Sequence, residues 1–183
     1  MELTRRLLTS ISSLPNGTAR PRAVLNTVIF VTEYGSTPWE DGTDKTLRLA
    51  CWNADGVRGR KLELEHFLSQ HGVDIRLLSE TFLNAGQAFR LASYVCQGTD
   101  RPTAGGGGTA ILVNRVIVHH SVPVSGLTHL EATTIQVIMV GRTVKILAAY
   151  LSSRPLIGAD LTACFGGGLP VLMAGNLNAK HVD

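Results

Sequence analysis

The sequence lacks long apolar runs and dense clusters of charge. No segment reaches the roughly 18 consecutive apolar residues of a membrane-spanning helix, which argues against a membrane protein. No run of about five or more basic residues occurs and the net charge is only +3, which argues against a binding module driven by charge alone. Hydrophobic residues make up 44% and charged residues 17%, so intrinsic disorder is disfavoured. The composition predicts a folded, mildly basic protein that can accept a polyanionic partner.

The sequence has few cysteines, and their spacing does not suit a metal-binding site. The three thiols, Cys51, Cys96 and Cys164, include no pair at CxxC spacing, which argues against a zinc site. Two of them lie in apolar runs, and this predicts buried, reduced thiols in an intracellular protein, nuclear or cytoplasmic. Residues 1–14 carry two arginines and several hydroxyl groups, a faint similarity to a mitochondrial transit peptide, but an incidental leader is the favoured interpretation.

Residues 1–45 differ from the rest of the chain. Pro15 and Pro21 interrupt any early helix, residues 25–32 are compatible with one strand, and glycine, proline and polar residues follow. We therefore predict that 1–45 is an unrelated, disordered leader and that 46–183 is one domain, which suits a chain of 183 residues.

From residue 47 the pattern becomes regular. An apolar run at 47–52 predicts a strand, 59–71 a helix and 73–79 a second strand, and this β-α-β order favours an α/β fold. A run of four glycines at 105–108 predicts a flexible link. The remaining predicted elements are strands at 89–97 and 109–119, a hairpin of 131–140 and 143–151, a helix at 156–165 and a strand at 169–174.

Polar residues stand at the ends of these apolar runs. They are Asn53 and Asp55 after the first strand of the domain, Glu80 after the second, Tyr150 at the end of the hairpin, and Asn176 and Asn178 after the last strand. Carboxylate and amide oxygens suit Mg²⁺, and hydroxyl and amide groups can hold phosphate oxygens. The set suggests metal-assisted phosphodiester chemistry. Each residue taken alone is more typical of turns, caps or core packing, so the prediction depends on the set and its order.

Four segments resemble the ordered motifs of the endonuclease/exonuclease/phosphatase superfamily. They are residues 52–58 (WNADGVR), 74–81 (DIRLLSET), Tyr150 and 175–178 (GNLN). The glycine-rich stretch 105–113 and residues 178–181 (NAKH) narrow the similarity to the apurinic-endonuclease-like domain of non-LTR retrotransposon polyproteins of the jockey type. The resemblance covers residues 47–183.

The resemblance implies a four-layer α/β sandwich, in which two facing mixed sheets are flanked by helices and the active site lies at one rim. It implies Mg²⁺- or Mn²⁺-dependent cleavage of a DNA phosphodiester by a monomer that needs neither a membrane nor a small-molecule cofactor. In a retrotransposon such a cut nicks the target DNA and primes reverse transcription.

The motifs also imply roles for the residues that match them. Glu80 would be the main metal ligand, with Asp55 assisting it. Asn53 would orient the metal site or the phosphate. Tyr150 would contact the scissile phosphate, and Asn178 would hold a phosphate oxygen and the attacking group.

Two departures from the family pattern predict an inactive copy. The family motif Gly-Asp-x-Asn reads GNLN here, so Asn176 replaces an acid, and an amide neither accepts a proton near neutral pH nor carries charge. The closing Ser-Asp-His motif has no counterpart, and the chain ends at Asp183, so we expect a domain incomplete at its C-terminus.

Several functions stay open at this point. The favoured one is a DNA endonuclease by ancestry that has lost activity. The alternatives are a non-enzymatic relic or weak nucleic-acid-binding module, an abasic-site endonuclease or phosphoesterase of the same superfamily, and an unrelated α/β module with coincident motifs. Residues 178–181 favour the retrotransposon branch. Arg58 and Lys180 would touch the DNA backbone, although ordinary surface charge is the simpler interpretation of both.

Overall fold

A computed structural model of the chain describes residues 28–34, 45–84, 86, 88–98, 106–139 and 142–178. Within them the chain forms nine strands and two α-helices. The strands are β1 Val28–Tyr34, β2 Lys45–Asn53, β3 Ile75–Ser79, β4 Tyr94–Gly98, β5 Thr109–Asn114, β6 His119–Ser121, β7 Leu130–Met139, β8 Arg142–Leu151 and β9 Val171–Asn176. The helices are α1 Lys61–His71, preceded by a 3-10 turn at Arg58–Arg60, and α2 Gly158–Phe165.

The strands form two mixed sheets. The first has the order β1-β2-β3-β5-β4 and the second the order β6-β7-β8-β9. Strands β2 and β3 are parallel and joined through α1, and β8 and β9 are parallel and joined through α2. All other neighbours are antiparallel. Two β-α-β crossovers therefore bring the carboxyl ends of β2 and β3, and those of β8 and β9, to the same edge of their sheets.

Side-chain alternation along the strands divides the core into layers. On β2, Cys51 packs in the cluster between the sheets, whereas Trp52 packs in the cluster that contains Leu64 of α1. On β8, Ala148 belongs to the cluster between the sheets and Leu147 packs with Cys164 of α2. The layers run helix, sheet, sheet, helix, so the predicted four-layer α/β sandwich is confirmed.

One predicted strand proves to be two. Residues 109–119 divide into β5, which ends at Asn114 in the first sheet, and β6, which begins at His119 in the second. Asn114 makes the turn between them, because its carbonyl accepts the Ile117 N–H at 2.9 Å and its side chain accepts the Val116 N–H at 3.3 Å. The apolar alternation continues through this turn, so the prediction of a single strand was wrong.

The hairpin of β7 and β8 and the helix α1 agree with the prediction. Helix α1 ends at His71 and is capped by Gly72, which adopts the left-handed backbone expected of a glycine at this position (φ 56°). The strand predicted at 89–97 begins only at Tyr94, because Phe89 and Leu91 belong to the connecting loop and are buried in the outer core there.

Strand β1 comes from the segment predicted to be a leader. It pairs antiparallel with β2, from Val28 opposite Cys51 to Tyr34 opposite Lys45, at one edge of the first sheet. The structure thus gives 28–34 a place in a sheet, while the unrelated origin of 1–45 stays a prediction. Neither helix in the described ranges is long and apolar enough to cross a membrane.

Gly175 marks a very close approach between β8 and β9. It pairs with Ala149, and a Cβ built on Gly175 would lie 1.7 Å from the Ala149 carbonyl oxygen. Because that oxygen belongs to the backbone, we expect Gly175→Ala to lower the free energy of unfolding by about 1–3 kcal/mol, measured by urea denaturation. The control is Gly158→Ala, whose Cβ would meet nothing within 4 Å. Equal urea midpoints for Gly175→Ala and Gly158→Ala would contradict the close approach of Gly175 to the Ala149 carbonyl.

Candidate active site

The cluster between the sheets ends in a rim of polar residues. In the first sheet, register places Asn53 beside Ser79 and Ser79 beside Thr109. In the second sheet, Tyr150 stands between Glu131 and Asn176. These residues lie an even number of positions from apolar residues of the inter-sheet cluster, so alternation turns them to the same space. Each sheet therefore contributes one polar row to the rim.

Glu80 joins the two rows. Its Oε1 accepts a hydrogen bond from Asn53 Nδ2 at 2.9 Å and another from Asn176 Nδ2 at 2.9 Å. Asn53 ends β2 in the first sheet and Asn176 ends β9 in the second. A single half-buried carboxylate oxygen thus connects residues from both sheets, and the predicted convergence of these three residues is observed.

Backbone hydrogen bonds hold Glu80 in a left-handed conformation. Glu80 has a left-handed backbone (φ 52°), and its carbonyl accepts the Gly56 N–H at 2.9 Å. The next residue, Thr81, donates its N–H to Gly108 O at 3.2 Å. A Cβ on Gly108 would lie 2.8 Å from Thr81 Oγ1, so glycine permits this approach. The glycine-rich stretch, predicted as a flexible link, holds the Glu80 loop at Gly108.

Asn176 has both ends of its amide engaged. Nδ2 donates to Glu80, and Oδ1 accepts the Asn178 N–H at 3.0 Å. Rotating the amide by 180° would place Oδ1 against the carboxylate, so this hydrogen-bond pattern determines its orientation. Asn178 in turn donates Nδ2 to the Leu151 carbonyl. The two asparagines are fixed to each other and to the end of β8.

Two oxygens at the site suit a hard cation, Asn53 Oδ1 and the second carboxylate oxygen of Glu80, Oε2. Asn53 Oδ1 is buried and has no hydrogen-bond partner in the described part of the chain, a costly state for an amide oxygen. It belongs to the same side chain that donates to Glu80. The described residues contain no group of three or more His, Cys, Asp or Glu that could hold a metal. A donor set with one carboxylate and an amide fits Mg²⁺, which keeps several waters, better than zinc.

Asp55 and Arg58 lie on the turn after β2. The Asp55 carboxylate lies 3.6 Å from the Arg60 guanidinium and is 65% exposed, and it makes no hydrogen bond with Glu80. The structure therefore does not bring Asp55 into the amide-carboxylate cluster. Arg58 is exposed on the 3-10 turn.

Tyr150 and Lys180 complete the predicted set. Tyr150 is half-buried at the rim, where its register partners are Glu131 and Asn176. Its position agrees with the predicted contact to phosphate, which stays a prediction. Lys180 lies outside the described residues.

The sequence from residue 50 to residue 183 matches the Endonuclease/Exonuclease/phosphatase family. The chain belongs to this family. It is 31% identical over 147 residues to the RNA-directed DNA polymerase from mobile element jockey of Drosophila melanogaster. That match covers 76% of this chain but 16% of the relative, so the chain spans about one sixth of the protein it resembles.

Two solved structures share the fold. The endonuclease domain of TRAS1, a telomere-specific non-LTR retrotransposon, superposes with a TM-score of 0.57 at 17% identity, over 73% of this chain and 61% of that domain. TDP2 of D. rerio, complexed with a single-strand DNA product, gives a TM-score of 0.52 at 18% identity, over 74% of this chain and 62% of its own. These structural likenesses confirm the predicted sandwich fold. The predicted superfamily is confirmed by the family match.

Sequence reasoning missed a set of hydrogen bonds that connect the two sheets at the rim. Glu131 Oε2 accepts the Gly108 N–H at 2.8 Å, and Thr133 Oγ1 donates to the Thr109 carbonyl at 3.0 Å. The two threonine hydroxyls are also 2.8 Å apart. The sequence did carry a signal for these contacts. Glu131 and Thr133 lie at alternate positions of β7, on the same face as the apolar Ile135, so two polar side chains were predictable on the face between the sheets.

A polar depression of about 310 Å³ adjoins the rim at Glu131, the register partner of Tyr150. Its lining residues are Leu127, Thr128, His129, Leu130, Glu131, Ser152 and Arg154. One wall is held by the buried Asp160, whose carboxylate accepts the N–H groups of Thr128, His129 and Leu130 at 2.8–2.9 Å. Burial alone would raise the pKa of Asp160, but these three donors outweigh it and hold that pKa below its usual value.

Proposed function

We propose that this chain carries a DNA phosphodiester-cleaving site of the retrotransposon endonuclease type, in which position 176 has lost its catalytic acid. The observation that carries the proposal is the Glu80 carboxylate oxygen, where the amides of Asn53 and Asn176 meet. Family membership and similarity to a retrotransposon endonuclease domain support a nuclease. The structural likeness to a DNA-bound protein supports DNA as the substrate.

Glu80 and Asn53 would hold a Mg²⁺ or Mn²⁺ ion. Both amide hydrogen bonds of Glu80 go to Oε1, which leaves Oε2 as a ligand. Asn53 Oδ1, which is buried and has no hydrogen-bond partner among the described residues, would be the second ligand. When bound, the ion would neutralise charge on the phosphate and acidify a bound water. Asp55 could assist only after its carboxylate leaves Arg60.

The residues around the phosphate would bind and orient it without activating the water. Tyr150 would donate its phenol to the scissile phosphate from the rim, and Asn178 would hold a phosphate oxygen. Asn176 would stand where a base is needed, but its amide cannot take a proton and its Oδ1 already accepts the Asn178 N–H. We therefore propose that the site binds metal and DNA but does not cleave at a useful rate.

DNA would cross the rim between the turn after β2 and the polar depression. The exposed Arg58 and the Arg154 of the depression would contact backbone phosphates, as would Lys180. The protein would act as a monomer, in the nucleus or cytoplasm, where it can meet DNA.

Replacing Glu80 tests the metal site. Without DNA, Mg²⁺ at ten times its dissociation constant should raise the free energy of unfolding of the native chain by about 1.4 kcal/mol. Glu80→Gln should remove most of this gain, because glutamine still offers an oxygen to the two amides but has lost the charge. Thermal melts with and without Mg²⁺ or Mn²⁺ measure the effect.

The matched control is Glu63→Gln on the exposed face of α1. It changes the net charge equally and should keep the full metal-dependent gain. An equal gain in Glu80→Gln and the native chain would contradict metal binding at Glu80. A native chain that does not respond to either ion would also contradict it, and would favour the non-enzymatic nucleic-acid-binding module.

A further inference from the structure

Phe82 carries an exposed aromatic ring two residues after Glu80. Its backbone is left-handed (φ 53°) and 41% of the residue is exposed. A bulky residue in this region of backbone space is strained, whereas glycine or asparagine adopts it readily. The chain therefore keeps a phenylalanine where a smaller residue would relieve strain.

Hydrogen bonds on both sides impose this backbone. Phe82 donates its N–H to Gly107 O at 3.0 Å, and the Val57 N–H donates to Thr81 O at 3.1 Å. The loop from Glu80 to Phe82 is thus clamped between the turn after β2 and the glycine-rich stretch. The contacts that place Glu80 also place the ring of Phe82.

Core packing does not account for the ring. Phe82 belongs to none of the three hydrophobic clusters of the described residues. Instead the ring lies between two glycines, since a Cβ on Gly56 would be 3.3 Å from Cδ2 and a Cβ on Gly106 would be 3.4 Å from Cε1. Side chains at either position would crowd it. The ring is closely held at two edges while much of its surface faces solvent.

We infer that Phe82 is a stacking site for a DNA base next to the scissile phosphate. The identity of the ligand as DNA rests on the proposed function. The turn that carries Gly56, against which the ring lies, also carries the exposed cation Arg58. Exposed aromatic rings and cations on one surface are the combination with which proteins hold unpaired bases. A base inside an intact duplex hides its faces, so the ligand is single-stranded or locally opened DNA. Because Phe82 lies two residues after Glu80, the stacked base would lie near the proposed metal site.

Replacing Phe82 separates stacking from structure. Phe82→Asn should bind a labelled single-stranded oligonucleotide about 5-fold more weakly or worse, because base stacking on an aromatic side chain contributes about 1–3 kcal/mol. The same variant should melt at the native temperature or above it, since asparagine tolerates the left-handed backbone. Phe82→Trp should retain affinity. Fluorescence anisotropy in EDTA measures binding without metal or cleavage.

The control is Phe165→Asn, which removes another exposed phenylalanine, 47% accessible, at the end of α2. It should leave DNA affinity unchanged. Native affinity in Phe82→Asn would overturn the inference, and so would a lower melting temperature that matches the loss of binding. A native chain that binds no oligonucleotide would overturn it as well.

Failure of the proposed function would give a different result. Metal-free binding would still depend on Phe82, while variants with an acid restored at position 176 would not nick DNA. Conversely, the variants with an acid at position 176 could nick DNA while Phe82→Asn binds the oligonucleotide with native affinity. That result would contradict the stacking site and support the proposed endonuclease function.

Discussion

Asn176→Asp is expected to raise Mg²⁺-dependent nicking of supercoiled plasmid by about 10²–10⁴-fold, the usual contribution of a positioned base. The comparison uses the chain joined to the C-terminal segment of the TRAS1 endonuclease domain, because this sequence contains no Ser-Asp-His motif. The two joined proteins differ only at position 176. The native chain and its unjoined Asn176→Asp variant should leave the plasmid intact.

The same substitution should make the free energy of unfolding depend more strongly on metal than it does in the native chain. Asn176 now donates a hydrogen bond to Glu80, and an aspartate would instead place a second carboxylate against the first. Two carboxylates in one site raise the pKa of one of them, so the charged pair opposes folding at neutral pH. Without metal, the variant should therefore gain stability relative to the native chain as the pH falls, and Mg²⁺ should stabilise it more than the native chain.

Glu80→Gln, combined with Asn176→Asp, provides the control. This double variant should be inactive in the joined protein, because it restores the base but removes the metal ligand. Nicking by the native chain that disappears in Glu80→Ala would contradict the proposed loss of activity. Absence of nicking from every joined protein that still melts cooperatively would contradict the proposed DNA-cleaving site.

Asp160→Ala is expected to lower the free energy of unfolding by about 3–5 kcal/mol. Its carboxylate is buried and accepts three backbone N–H groups, from Thr128, His129 and Leu130. Each donor left without a partner costs about 1–3 kcal/mol, and water that enters the gap recovers part of the sum. Urea denaturation at pH 7 measures the loss. A loss below about 1 kcal/mol would contradict the proposed role of these hydrogen bonds.

The stabilisation by Asp160 should also depend on pH. Its pKa in the fold lies below the unfolded value of about 3.9, so its contribution is complete above that value and disappears as the pH falls through the folded pKa. Asp160→Asn should therefore show a flatter stability profile than the native chain below about pH 4. Glu63→Gln, which removes an exposed acid, should follow the native profile. Parallel profiles for Asp160→Asn and the native chain would contradict the lowered pKa.

Local patterns predicted most of the elements. The alternation at 131–151 predicted the β7 and β8 hairpin, and the apolar spacing with Gly72 predicted α1, because both depend on neighbours in sequence. Residues 109–119 were misjudged because alternation continues across the turn at Asn114, and only pairing with different sheets separates β5 from β6. The close approach of Gly108 to the Glu80 loop could not be predicted for a similar reason, since the residue that it meets, Thr81, lies far away in the sequence.

The sequence by itself determined the family, because motifs and their order are properties of the chain. The same motifs predicted the residue types of the site and an asparagine in place of an acid at position 176. Only the tertiary structure decided which of these residues meet. Glu80 accepts a hydrogen bond from Asn176, 96 positions away, whereas the Asp55 carboxylate pairs with the nearby Arg60. Strand register and alternation determine such contacts, and both arise from long-range pairing between strands. For the same reason the strained, exposed ring of Phe82 could not be inferred from its neighbours in sequence.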